Sequence, residues 1–420
     1  MGGLLTHSSS IRSDAIASVM SACLLIACTN LSAQPLPEAS PESVGISSER
    51  LDRVDALFES YIADGRMAGV VVAIAKNGKL AHFRVLGRME KSTDEPMRAD
   101  AIFRMASMTK PITSAAVLML YEEGHFQLED PVSRYIPELS GMEPEASSNE
   151  EIDAREMSIR DLLIHTAGLP GNGDDPRHNQ VWTNLDLTLK QQMEEVSRQP
   201  LAYAPGTDWR YSEATNILGY LIEVISEQPI EEFFEERIFR PLGMMDTSFF
   251  VPEAKVHRLP AVYGVSEAGV TELLWSDPLA RELRLPKAPR GTGGLFSTAH
   301  DYLRFAQMLL NKGEFDGVRL LSPKTVELMT TDHLPSGVSI SDPSLAGYGW
   351  GLGVRVRTNL AESQFLGNVG EYGWVGAFGT FFLVDPQEAL VAMFLPQLRN
   401  SAAYPIRRQF NNSVYQAIIE

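Results

Sequence analysis

The sequence predicts an α/β fold of the α+β kind, in which a mostly antiparallel sheet flanked by helices is joined to an all-helical lobe. Strand-like apolar runs lie near both ends of the chain, and helical patterns with Pro and Gly punctuation fill most of the segment between them. One sheet completed by both ends, with an inserted helical lobe at about residues 112–310, accounts for this order. Residues 34–420 are therefore expected to form a single unit.

The first elements are predicted to be a helix and a hairpin. Ser47 or Ser48 can cap a helix whose apolar residues recur on one face at helical spacing. Two strand-like runs follow at residues 69–75 and 80–86. Between them lies Asn77-Gly78, which tolerates positive φ and is the strongest short signal for a hairpin.

The rest of the chain is predicted to be helical at first and to return to strands at the end. Residues 216–225 and 300–310 have the pattern of apolar helices. Apolar runs at residues 380–384 and 390–395 flank the turn residues Asp385-Pro386 and predict two strands. A last helix is predicted from apolar residues four apart: Ile406, Phe410, Val414 and Ile418.

Composition and charge exclude several classes of protein. The chain of 420 residues has a formal net charge of −18, which repels phosphate backbones, so nucleic acid is not expected as a partner. Its two cysteines, Cys23 and Cys28, both lie in the N-terminal apolar stretch, which leaves the rest of the chain without thiol chemistry. None of the eight histidines stands in a His-Glu-x-x-His arrangement. We therefore expect no metal and no organic cofactor.

Residues 1–33 have the pattern of an export signal. Arg12 precedes an apolar run at residues 15–28, which is too short to span a bilayer but suits a signal peptide. Cleavage after Ala33 predicts a soluble exported protein. Alternatively, residues 25–28 resemble a bacterial lipoprotein box, which predicts a lipid anchor at Cys28. Both outcomes predict a protein of the periplasm or cell envelope, and no later segment is apolar enough to be a transmembrane helix.

A Ser-x-x-Lys motif at Ser107-Met108-Thr109-Lys110 opens a predicted helix. Residues three apart on a helix lie on the same face, so the serine hydroxyl and the lysine amine are expected to meet. A serine needs an adjacent base to act as a nucleophile, and a lysine whose pKa is lowered by burial is such a base. By itself the motif is also consistent with a capping serine and a solvated lysine.

Seven further segments accompany the motif in chain order: 103–106 (FRMA), 111–113 (PIT), 162–169 (LLIHTAGL), 203–206 (YAPG), 211–212 (YS), 240–244 (RPLGM) and 291–295 (GTGGL). Together they resemble the serine β-lactamase-related, penicillin-binding-protein-like family. The closest motifs are those of family VIII carboxylesterases and class C β-lactamases. The resemblance covers roughly residues 40–420 and implies a β-lactamase/transpeptidase-like fold.

The resemblance also implies roles for individual residues. Ser107 is the expected nucleophile, and Lys110 and Tyr211 are the expected acid/base pair, with Tyr211 matching the tyrosine of the family's second motif. Glu213 stands where the β-lactamases keep an asparagine that contacts the substrate amide. This departure argues against recognition of β-lactams and peptides. Glu213 is expected either to gate the site or to be a solvated surface carboxylate.

The third motif of the family, Lys-Thr-Gly, is replaced within residues 370–380, and two registers are open. Counting back from Pro386 places Glu371-Tyr372-Gly373 there, whereas Trp374-Val375-Gly376 matches the Trp-x-Gly of the esterases. Neither register supplies the cation that binds a substrate carboxylate. In this family the Ser107 amide and one amide of this strand form the oxyanion hole. The strand donor is then Trp374 or Ala377, and glycines such as Gly376 let a substrate backbone approach.

A Ser-His-Asp triad is not predicted, although His165 invites that interpretation. The chain has no Gly-x-Ser-x-Gly elbow, and His165 lies in a family segment whose histidine is expected to be buried and hydrogen-bonded.

The predicted function is that of a serine hydrolase acting through an acyl-enzyme on a small-molecule ester or amide, with short-chain carboxylesters favoured. β-Lactam hydrolysis, D-amino peptide cleavage and acyl transfer to an alcohol are the alternatives within this class. A non-catalytic sensor of cell-wall fragments is the alternative from another class. The intact Ser107, Lys110 and Tyr211 argue against a sensor.

Overall fold

A seven-stranded antiparallel sheet is the centre of the fold. The computed structural model describes residues 35–144, 155–184 and 186–420. The predicted export signal and Cys28 lie outside the described residues. Within those ranges, the strands are β1 (Gly69–Lys76), β2 (Lys79–Gly87), β3 (Phe103–Arg104), β4 (Val262–Val265), β5 (Thr271–Trp275), β6 (Phe296–Ser297), β7 (Glu314–Phe315), β8 (Val318–Arg319), β9 (Tyr348–Trp350), β10 (Arg355–Arg357), β11 (Tyr372–Val375), β12 (Phe381–Asp385), β13 (Leu390–Leu395) and β14 (Leu398–Arg399).

Helices cover the sheet and build the region beside it. In chain order they are α1 (Ser48–Ala63), α2 (Thr109–Glu122), α3 (Ile159–Ile164), α4 (Pro176–Thr183), α5 (Leu189–Val196), α6 (Ala214–Ser226), α7 (Ile230–Phe234), α8 (Arg240–Leu242), α9 (Ala299–Leu310), α10 (Pro323–Met329), α11 (Leu360–Ser363) and α12 (Ile406–Tyr415). In the described part of the chain, none of the helices combines the length and apolarity needed to cross a membrane.

The sheet is buried on both faces because successive side chains of a strand point to opposite sides. In β1, Val71 and Ala73 belong to the core shared with α2, α6 and α9, whereas Val70 and Val72 belong to the core under α1 and α12. The continuous apolar run of this strand follows from its central position. The strand order is β2-β1-β13-β12-β11-β10-β9, and the antiparallel pairing of Val71 with Leu395 joins strands from the two ends of the chain.

The predicted fold class is confirmed, and several elements appear where the sequence placed them. The Ser47 side chain accepts a hydrogen bond from the Arg50 amide and caps α1. Asn77 and Gly78 both have positive φ, at 55° and 73°, and form the tight turn between β1 and β2. The helices predicted at residues 216–225 and 300–310 are α6 and α9.

Two expectations differ from the structure. The segment at about residues 112–310 is not all helical, because β4 and β5 interrupt it and form a small sheet with β14 from the C-terminal part. α9 also lies on the central sheet, where Tyr302 packs edge-on against Phe382. The last helix ends at Tyr415, so Ile418 is not on it and instead forms a β-bridge with Ile46.

Candidate active site

Ser107 and Lys110 lie together at the start of α2. Ser107 is in a 3-10 turn (Ala106–Met108), and Lys110 is in the first turn of the α-helix that follows. The Lys110 Nζ donates hydrogen bonds to Ser107 Oγ at 3.2 Å and to the Thr292 carbonyl at 3.1 Å. The spacing of three residues therefore produces the contact that the sequence predicts.

Burial changes the proton affinity of Lys110. The side chain is fully buried, and loss of hydration disfavours its charged form. Burial lowers the pKa of Lys110 to about 7, with Glu213 acting to raise the pKa and Arg290 to lower it. A substantial fraction of the amine is consequently neutral near pH 7, and a neutral amine can accept a proton.

Tyr211 lies against Lys110 just before α6. The Lys110 Nζ is 4.5 Å from the centre of the Tyr211 ring, and the phenol oxygen accepts a hydrogen bond of 2.9 Å from the Trp374 indole. Burial raises the pKa of Tyr211, while hydrogen bonds with Ser107 and Trp374 act to lower that pKa. The phenol is therefore protonated at neutral pH and holds a proton that it can donate.

An aromatic cluster fixes the position of the Tyr211 ring. Its members are His165, Trp209, Tyr211, Trp350 and Trp374, with ring centres 4.7 Å apart for His165 and Tyr211 and 4.5 Å apart for Trp350 and Trp374. The Trp350 indole donates to the Leu163 carbonyl at 3.3 Å, which ties the cluster to α3. Packing on several sides limits the phenol to one orientation.

His165 has the buried hydrogen-bonding role that the sequence predicts. It ends α3 with a φ of 61°, and its Nδ1 accepts a hydrogen bond of 3.3 Å from the Ser212 amide. Burial, assisted by the nearby Lys110, lowers the pKa of His165, so the ring is neutral. Because Ser212 adjoins Tyr211, this contact also holds the segment that carries the phenol.

The geometry of β11 favours one of the two registers of the third motif. Trp374 faces Tyr211, whereas Glu371 is buried in an ion pair with Arg357, whose Nη2 lies 3.0 Å from the carboxylate. Tyr348 and Tyr415 also donate hydrogen bonds to Glu371. Glu371 is thus occupied by this ion pair, and Trp374 is the residue of this strand that contacts Tyr211.

The end of β11 approaches the turn that carries Ser107. Gly376 is buried, and a Cβ at this position would overlap Thr380 Oγ1 and the Met105 carbonyl, so only glycine fits. The next residue, Ala377, is exposed, and its amide has no hydrogen-bond acceptor among the described residues. Ala106, directly before Ser107, has a φ of 45°, a conformation that L-residues rarely adopt and that is often found at functional sites.

Of the two roles expected for Glu213, that of a solvated surface carboxylate is wrong. It is buried and accepts hydrogen bonds of 2.8 Å from Arg290 and from Asn216. Burial acts to raise the pKa of Glu213, but Arg290 and Lys110 outweigh burial and lower it. The Asn216 Oδ1 accepts from the Thr292 amide, and the Thr292 carbonyl accepts from Lys110. A continuous polar chain therefore links Glu213 to Lys110.

Sequence reasoning missed Arg290, Asn216 and Trp350. Arg290 is 77 residues from its partner Glu213, so no local spacing reveals the pair. Arg290 directly precedes the Gly-rich family segment 291–295, and this position was the one available sign that it could lie near the site. In the part of the chain that the structure describes, no group of three His, Cys, Asp or Glu side chains is placed to hold a metal ion.

Comparison with known proteins identifies the family of this chain. The family model described as Beta-lactamase matches residues 54–415. Protein Rv1367c of Mycobacterium tuberculosis is 33% identical over 378 residues, which cover 83% of this chain and 90% of that protein. Esterase EstB of Burkholderia gladioli is 28% identical over 363 residues, which cover 82% of this chain and 89% of that protein.

The fold of a solved structure agrees as well. The structure of EstCE1, described as a hydrolase with promiscuous acyltransferase activity, superimposes with a TM-score of 0.77 at 25% identity. The match covers 87% of this chain and 99% of EstCE1. Since the family model spans most of the chain and a relative above 30% identity covers four-fifths of it, the protein belongs to the beta-lactamase family of hydrolases.

Proposed function

We propose that this protein hydrolyses neutral carboxylic esters through an acyl-enzyme formed on Ser107. One observation carries the proposal: Ser107, Lys110 and Tyr211 are brought together, and the side chain that donates to the Tyr211 phenol is a neutral indole, not a cation. The first part of this observation supports nucleophilic catalysis, and the second supports a preference for uncharged substrates.

Lys110 and Tyr211 differ in proton affinity in a way that suits the two halves of the reaction. The neutral fraction of Lys110, whose pKa is about 7, accepts the Ser107 proton as Oγ attacks the ester carbonyl. Tyr211, whose pKa is raised by burial, donates its proton to the departing alkoxide and regains one from Lys110. The alcohol leaves, and water then releases the acid by the same steps in reverse order.

Two backbone amides are proposed to stabilise the oxyanion. One is the amide of Ser107, and the other is the exposed, unengaged amide of Ala377, which the close approach of Gly376 to Met105 brings near the nucleophile. In serine hydrolases the loss of one such donor typically costs about 3 kcal/mol of transition-state stabilisation.

The substrate preference follows from Trp374. Its indole nitrogen is hydrogen-bonded to Tyr211, and Arg290, whose charge acts on Lys110, is paired with Glu213. A substrate carboxylate then loses a charge-assisted hydrogen bond worth about 1.5–3 kcal/mol, whereas a neutral ester loses nothing. One relative supports the same preference, since EstB is described as an esterase.

A substrate panel tests this preference. We expect kcat/KM for a neutral short-chain ester to exceed that for benzylpenicillin by at least two orders of magnitude. The panel includes a chromogenic cephalosporin and a D-Ala-D-Ala peptide as the alternative substrate classes. Benzylpenicillin hydrolysis as efficient as that of the best ester would refute the proposed specificity.

A fluorophosphonate probe tests the nucleophile. The wild type is expected to gain one covalent label, and Ser107→Ala is expected to gain none. Ser114→Ala is the matched control, because Ser114 is a buried serine two turns further along α2 with no hydrogen-bond partner among the described residues. Equal labelling of the wild type and Ser107→Ala would rule out Ser107.

We also propose export to the periplasm or cell envelope, on the basis of the pattern in residues 1–33. Mass spectrometry of protein from the natural host is expected to show a mature N-terminus at Gln34 or a lipidated Cys28. An intact N-terminus in the cytoplasmic fraction would overturn this proposal.

A further inference from the structure

An arginine-lined cavity of about 320 Å³ lies at the start of α12. We call it the arginine cavity and define it by Arg355, Arg407, Arg408, Asn411 and two aromatic walls, Phe365 and Phe381. Phe381 belongs to the core under α1 and α12, whereas Trp374 belongs to the core on the other side of the sheet. The cavity is therefore separated from Ser107 by the sheet itself.

The positive charge of this cavity is largely uncompensated. Arg355 is only 4% exposed and stacks over Tyr348 and Phe381, yet neither Arg355, Arg407 nor Arg408 has an ion pair within the described ranges. Burial lowers the pKa of Arg407 to about 10, with Arg355 acting in the same direction and Asp342 opposing it. Such a concentration of guanidinium groups is unexpected in a chain with a net charge of −18.

Buried polar atoms in the cavity also lack partners. Asn411 is 1% exposed, and neither its Oδ1 nor its Nδ2 has a hydrogen-bond partner among the residues described. The buried Arg355 Nε likewise has no hydrogen-bond partner among the residues described. In addition, α12 starts after Pro405 without a side-chain cap, which leaves first-turn amides available to an acceptor. Buried polar groups are normally satisfied, so this wall of the cavity holds more polar atoms than the described residues supply with partners.

We propose that the arginine cavity binds a small organic anion. A carboxylate or phosphate head lies against the guanidinium groups of Arg407 and Arg408, whose charged, planar donors suit such a group. The apolar body of the ligand packs against Phe365 and Phe381. The volume is at the lower end of the range for small-molecule sites and matches a ligand with one aromatic ring. This binding site is independent of hydrolysis at Ser107.

Isothermal titration calorimetry with phenyl phosphate tests the proposal. The wild type is expected to bind one equivalent, and Arg407→Gln is expected to weaken binding at least tenfold. The matched control is Arg198→Gln, which removes the same charge from an exposed arginine on the surface and is expected to bind as the wild type does. If Arg407→Gln does not fold, Arg408→Gln, at an exposed position of the cavity, is used in its place and is expected to weaken binding in the same way.

Three further binding measurements define the ligand and the site. Inorganic phosphate is expected to bind more weakly than phenyl phosphate, and neutral benzyl alcohol is expected not to bind. Protein already labelled at its nucleophile with a fluorophosphonate is expected to bind phenyl phosphate unchanged. The proposal is overturned by no binding to the wild type, by equal binding of benzyl alcohol or inorganic phosphate, by equal weakening in Arg198→Gln, or by loss of binding after labelling.

Discussion

The indole nitrogen of Trp374 donates a hydrogen bond of 2.9 Å to the phenol oxygen of Tyr211. Burial raises the pKa of the Tyr211 phenol, and this contact acts to lower that pKa. It also orients the phenol within the aromatic cluster. The donor to the Tyr211 phenol is therefore neutral and brings no positive charge to this position.

Trp374→Phe is expected to lower kcat/KM for a neutral ester by about fivefold, the effect of losing one hydrogen bond of about 1 kcal/mol. The substitution keeps an aromatic body in the cluster, so the midpoint of thermal unfolding is expected to change little. Trp182→Phe is the matched control, because its buried indole nitrogen has no hydrogen-bond partner in the described residues. Wild-type kinetics in Trp374→Phe would show that the contact does not assist the reaction.

The pH dependence of kcat/KM is expected to report on Lys110. Activity requires the neutral amine and therefore rises as pH increases through a midpoint near 7. Glu213→Gln removes a charge that raises the pKa of Lys110, so the midpoint is expected to move to lower pH. Arg290→Gln removes a charge that lowers this pKa and is expected to move the midpoint to higher pH. Shifts in the same direction for both variants would contradict the assignment of Lys110 as the base.

Lys110→Ala and Tyr211→Phe are each expected to reduce kcat by about two to four orders of magnitude while the protein remains folded. Because the two groups share one proton path, the double variant is expected to be little worse than either single variant. Steady-state kinetics with circular dichroism as the folding control measures both points. Additive losses would mean that the two residues act separately.

The Arg357–Glu371 pair is expected to matter for stability. Both side chains are buried, at 0% and 1% exposure, so Arg357→Met leaves a buried carboxylate without its cation and is expected to cost about 3–5 kcal/mol. Combining it with Glu371→Gln is expected to recover part of that loss. Arg198→Met, which breaks the exposed pair with Glu195, is expected to change the free energy of unfolding by less than about 1 kcal/mol. Urea denaturation measures all three, and equal effects of Arg357→Met and Arg198→Met would contradict the argument.

Local patterns in the sequence predicted the elements and contacts that depend on neighbouring residues. The cap of α1, the turn at Asn77-Gly78 and the meeting of Ser107 with Lys110 all follow from spacings of a few residues. The family resemblance, which the family model confirms, added the predictions of the fold and of a role for Tyr211.

Contacts between distant segments were beyond such patterns. The pairing of Glu213 with Arg290, and of β4 with β14, joins parts of the chain whose own sequences carry no sign of each other. The position of the Glu371 side chain could not be predicted from local sequence either, because Arg357 on the neighbouring strand fixes it. Ile418 fits a helical spacing but lies beyond the end of the helix and bridges to Ile46.

The pairing of β1 with β13 has a consequence for the order in which the molecule can fold. Val71 meets Leu395, so the ribosome must complete almost the entire chain before the amino-terminal hairpin acquires its central neighbour. Until then β1 and β2 form an isolated two-stranded unit, which is at best marginally stable in water and exposes an apolar edge. Contacts of such high sequence separation also make folding slow. A chain interrupted before Leu390 therefore lacks β13, the strand that joins the β1–β2 hairpin to the part of the sheet formed by β9 to β12.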